Sequence, residues 1–73
     1  MKYRRVTIEK QDGSYVPEDE PVFILRAQDV LAPIAVRYYA DLVYATTGNI
    51  AVAGQIRNVA SLMAAYPTKK LPD

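Results

Sequence analysis

Four polar side chains stand where the chain would otherwise be apolar or merely solvated. Arg26 and Gln28 break off the run Val22-Phe23-Ile24-Leu25, and Arg37 and Tyr44 lie on the polar side of the helical pattern that follows. An arginine guanidinium donates two parallel hydrogen bonds to a phosphate. A tyrosine ring offers a nucleobase a stacking surface worth about 1–3 kcal/mol in single-stranded nucleic-acid sites. The four therefore suit an anionic, aromatic small molecule held without covalent chemistry. The two arginines also have ordinary readings: Arg26 as an ion pair with Asp29 or the acidic loop, and Arg37 as an i,i+4 pair with Asp41. Tyr38 and Tyr39 sit on the apolar stripe and read as core.

Catalysis has little to draw on. The chain contains no cysteine and no histidine. That removes thiolate zinc sites, cysteine nucleophiles, imidazole bases and Ser-His-Asp triads together. Asp12, Glu18, Asp19 and Glu20 lie in turns without the ligand spacing of a calcium or two-metal site. No catalytic residue, metal or cofactor is expected.

The elements that must position these side chains follow from pattern. Lys2 to Lys10 alternates as a strand, Asp12-Gly13 is a type I′ hairpin signal, and Ser14 to Val16 is a short return strand. Pro17-Glu-Asp-Glu-Pro21 cannot continue a ladder and reads as a solvated loop. Val22 to Leu25 is apolar on both faces, as a strand covered on two sides would be. Asp29 is placed to cap a helix, with an irregular first turn because Pro33 is tolerated only near a helix N-terminus. From there Leu31, Ile34, Ala35, Tyr38, Leu42 and Ala45, widened by Tyr39 and Val43, recur at helical spacing as the core face, leaving Arg37, Ala40, Asp41 and Tyr44 outside.

Gly48-Asn49 supplies a C′ glycine and an N-cap back to back, which joins two helices by a tight turn. A second helix is expected over 50–66, with Val52, Ile56, Val59, Ala60, Met63 and Tyr66 on one face. Gly54 and the surrounding alanines are small enough for another helix to approach. Pro67 ends it, and 68–73 is an extended basic tail. The fold class expected is thus α+β: a small antiparallel two- to three-stranded sheet in 1–28, a helical hairpin in 29–66 and a tail in 67–73, all one domain.

At 73 residues, 51% of them hydrophobic, the chain is ordered in composition but buries only about 60% of its unfolded surface. A hairpin covers one sheet face, so a homo-oligomer is expected to cover the other. The formal net charge of +1 is far from that of a general nucleic-acid binder. No stretch has the length of a membrane span or the order of a signal peptide, so the chain is read as cytoplasmic.

The string PVFILRAQDVLAPIAVRYYADL, with the ending YPTKKLPD, resembles a group of short phage and prophage proteins of unassigned role that share a P-V-F-x-L-R-A-x-D-x-L-A-P core. The resemblance covers most of the chain and carries no catalytic motif. It implies a phage accessory protein acting on host machinery or host defence, in the host cytosol. The expectation drawn from it is an oligomer that sequesters a nucleotide immune signal, with Arg26, Gln28, Arg37 and Tyr44 as ligand residues. The alternatives are a protein-binding module that inhibits or bridges a host or phage protein, and a weak nucleic-acid binder using Lys2, Arg4, Arg5, Lys69 and Lys70.

Overall fold

The computed structural model describes residues 7–71. Its elements are two helices of 16 residues each, α1 (Ala32–Thr47) and α2 (Ile50–Ala65), packed on one another as a hairpin. The link between them is as the residue types require. Gly48 is left-handed at φ 67°, and its N–H donates to the Tyr44 carbonyl at 2.8 Å. The Asn49 side chain then accepts from the Val52 N–H at 3.1 Å and starts α2. Thr47 holds the corner from both sides: its hydroxyl donates to the Val43 carbonyl and accepts from the Asn49 N–H.

The expected sheet is absent among the described residues, and the architecture is a helical hairpin and not α+β. Among the described residues there are isolated bridges, Glu9 with Tyr15 and Asp29 with Lys70, but no strand. Most of the strand expected over 2–10 lies outside the described residues. The turn after it is present in a longer form. Lys10 donates to the Ser14 carbonyl at 2.7 Å across a three-residue connection, and Gly13 alone has positive φ, at 88°. This is a type I turn closed by a left-handed glycine, a geometry that needs no positive φ at Asp12. The Asp12 carboxylate instead accepts from the Ser14 hydroxyl and N–H, and those bonds lower its pKa from the usual 3.8.

Pro17 and Pro21 flank a segment that cannot carry a ladder, and Val22 to Leu25 has no regular secondary structure and no ladder partner among the described residues. Its alternation is one-sided: Val22, Ile24 and Leu25 are partly buried while Phe23 is 75% exposed. The run was apolar enough for a two-sided strand, but no strand pairs with it among the described residues.

Entry to α1 is an irregular turn, as Pro33 demands. Asp29 bonds back to the Arg26 carbonyl, its carboxylate accepts from the Leu31 N–H at 2.8 Å, and its own carbonyl accepts from Ala32. Leu31 occupies the cap position with no side-chain cap. Asp29 therefore shapes the turn leading into the helix and does not cap its first turn.

The tail is docked. The Val30 N–H donates to the Lys70 carbonyl at 3.1 Å, and the Lys70 N–H to the Gln28 carbonyl at 2.7 Å. The Lys69 ammonium bonds the Ala27 carbonyl before α1 and the Met63 carbonyl in the last turn of α2. A cation there also meets the negative end of the helix dipole. Lys69 thus ties together the open end of the hairpin, opposite Gly48-Asn49.

The core was expected on the wrong face of α1. Ala40, placed outside by the size of its neighbours, is 0% exposed, as are Ala32, Ala53 and Ala60. Pro33 is buried, and Val36, Val43, Ile56 and Met63 are half-buried. Leu31, Ile34, Tyr38 and Leu42, expected as the core stripe, are all exposed, and so are Val52, Val59 and Tyr66 of the α2 face. A link as short as Gly48-Asn49 brings the helices together at once, and close approach selects small side chains for the contact. No side chain larger than alanine or proline is buried among the described residues.

Candidate functional site

The four candidate ligand residues fall into two pairs. Arg26 and Gln28 lie in the segment before α1. Arg26 is exposed and its carbonyl accepts from the Asp29 N–H, while Gln28 is partly buried and its backbone is held by Lys70. Arg37 and Tyr44 lie seven residues apart in α1, two turns along the same flank. No hydrogen bond or ion pair joins one pair to the other among the described residues.

The pairing of Asp41 decides what Arg37 is free to do. Asp41 stands between Arg37 and Tyr44 on α1, at the i+4 position that would attract Arg37. It is taken instead by Arg57 of α2, whose guanidinium reaches its carboxylate at 3.0 Å. That contact is exposed at both ends and contributes at most about 1 kcal/mol. Its consequence is local: Arg37 keeps an exposed guanidinium with no ion-pair partner among the described residues, and Tyr44 is 47% exposed on the same flank. A cation and an aromatic ring on one flank, about 10 Å apart along the helix axis, are of the types that hold a phosphate and a base.

The start of α1 offers an anion less than its sequence suggests. Pro33 has no N–H, the Leu31 N–H is held by the Asp29 carboxylate, and the Ala32 N–H by the Asp29 carbonyl. A phosphate near Arg26 would face that carboxylate.

The other expectations are placed as follows. Among the described residues no group of three or more His, Cys, Asp or Glu side chains is arranged to hold a metal. Lys2, Arg4 and Arg5 lie outside the described residues, and Lys69 is engaged by two carbonyls, so the basic tail is not a free arm. No helix among the described residues is long and apolar enough to cross a membrane.

Two features escaped sequence reasoning. One is the Asp41–Arg57 pair between helices, whose signal is that the hairpin brings Asp41 and Arg57 onto one flank. The other is the apolar flank opposite it, built from Tyr39, Leu42, Val52, Val59, Leu62 and Tyr66. Its signal is the small-residue seam Pro33, Ala40, Ala53 and Ala60, which leaves the larger side chains outside. Compared with family models, with curated proteins and with solved structures, the chain matches none of them.

Proposed function

We propose that this chain is a non-enzymatic phage accessory protein that sequesters a small nucleotide signal, a cyclic nucleotide or a related molecule, as a homo-oligomer in the host cytosol. The observation that carries this reading is Arg37: Asp41 is paired with Arg57, so the guanidinium is left exposed on the charged flank, two turns from Tyr44. The guanidinium fork holds a phosphate, the ring supports the base, and Arg26 with Gln28 form a second pair ahead of α1. The absence of cysteine and histidine supports binding over catalysis.

The test is calorimetry against cyclic mono- and dinucleotides and ADP-ribose-type signals. Arg37→Ala is expected to weaken binding at least tenfold, about 1.4 kcal/mol or more. Arg37→Lys, which keeps the charge and loses the fork, should fall between the two. Silence of the native chain across that panel ends the nucleotide reading.

A second reading is an interaction module that inhibits or bridges another protein. The exposed apolar flank of the two helices favours it. Co-purification of one protein of defined mass with the native chain, and not with a variant charged on that flank, would support this reading over the first.

A further inference from the structure

All the charge of the hairpin is on one flank. Along the helices at about 100° per residue, Arg37, Asp41 and Arg57 fall on one side, and the 3.0 Å contact between Asp41 and Arg57 shows that the two helices share that side. The opposite flank carries no charged residue on either helix. It presents Tyr39 and Leu42 from α1, Val52, Val59 and Leu62 from α2, and Tyr66 at the C-cap of α2, with exposures from 39% to 66%. The seam between the helices agrees. Ala40, Ala53 and Ala60, turned toward the charged flank, are fully buried, whereas Val36, Val43, Ile56 and Met63, turned the other way, are half-exposed. The helix contact is shut on the charged side and open on the apolar one.

We propose that a second copy of this chain covers that flank, two hairpins packing about a two-fold axis into a four-helix assembly. Three observations favour this occupant. The first is area. An aromatic side chain buries about 150–250 Å² and an aliphatic one somewhat less, so this flank still exposes on the order of 500 Å² per chain. Two copies would bury about 1,000 Å², the size at which specific interfaces begin.

The second is self-complementarity. A two-fold contact sets one patch against itself, with residues near the axis meeting their own copies, which a face of like charge resists and a charge-free face permits. The third is the charge balance of the helices. A helix pair lying on a lipid surface would draw on a cationic polar side, but here one of the two helix arginines is neutralised by Asp41. The pairing leaves Arg37 and Tyr44 facing outward on both copies, so it stands whether or not a nucleotide binds there.

The test is light scattering of the native chain and two variants across the micromolar range. The native chain should have twice the 8.1 kDa chain mass, or a larger even multiple. Val59→Glu sets two carboxylates into the contact and should raise the dissociation constant by about 100-fold or more. Ser61→Glu, on the charged flank, should leave the mass unchanged. Circular dichroism establishes that both variants keep their helices.

Should Val59→Glu fail to fold, Val59→Cys replaces it, in a chain with no other cysteine. A short bis-maleimide should then join two chains through Cys variants at position 59 and leave Ser61→Cys as single chains. A native chain that stays monomeric, whether or not it binds another protein or phospholipid vesicles, overturns the proposal. So does an assembly that Val59→Glu leaves unchanged, or one that crosslinks through position 61 and not 59.

Discussion

Replacing Ala40 by leucine distinguishes the observed packing of α1 from the one that side-chain size suggests. Ala40 is 0% exposed in the seam against α2, while Ala45, five residues on, is exposed. Leucine at position 40 adds three carbons where the helices already touch, and overpacking of this kind costs about 1–3 kcal/mol. Helix propensity does not offset it, since alanine and leucine differ by only a few tenths of a kcal/mol. A chain of 73 residues has about 4–11 kcal/mol of stability in all, so the loss is a large share of it. At about 4–8 °C per kcal/mol for small domains, a loss near 2 kcal/mol lowers Tm by about 10–15 °C. Ala45→Leu should change stability by no more than about 0.5 kcal/mol, as an exposed substitution does. Thermal and urea unfolding followed by circular dichroism, at one fixed protein concentration, measure both. If Ala45→Leu were the more damaging variant, the stripe Leu31-Ile34-Tyr38-Leu42 would be the true core and the seam described above would be wrong.

Two glycines make opposite predictions. Gly48 is left-handed at φ 67°, so Gly48→Ala should cost about 1–2 kcal/mol by urea unfolding, although no atom obstructs the new Cβ. Gly54 is inside α2 with open space around its Cβ, and Gly54→Ala should gain about 0.5–1 kcal/mol in the same assay. Asp29→Ala removes the acceptor for the Leu31 N–H and should cost about 1 kcal/mol, the net worth of one hydrogen bond, whereas Asp29→Asn, which keeps that oxygen, should be nearly neutral. A folded Asp29→Asn variant that lost ligand binding would show the carboxylate charge to be functional.

The helical hairpin was legible in the sequence because its signals are local. Gly48 and Asn49 each have one conformational role that few residues fill, and Pro33 limits where a helix begins. The Asp12-Gly13 turn was legible for the same reason, though not its three-residue form. The sheet was read where the described residues form none, because an apolar run at 22–25 favours a strand but cannot supply a partner for it. The face of α1 was misread for a different reason. Hydrophobic pattern ranks faces by the size of their side chains, but a two-residue link selects small ones for the contact, and the larger ones are left to solvent or to another chain. Of the candidate site, Arg37 and Tyr44 could be placed on one flank from spacing alone. That Asp41 would prefer Arg57 to Arg37 depends on how α2 returns along α1, which no local pattern contains.

The most direct test of the account is native mass spectrometry of the protein purified from the cells that produce it, since it weighs assembly and ligand together. Large side chains left outside a seam of alanines, with Arg37 exposed on the flank it shares with Tyr44, predict an even-numbered assembly of this chain that retains a small molecule of nucleotide mass. A stable monomer with nothing bound would contradict both the covered apolar flank and the proposed sequestration.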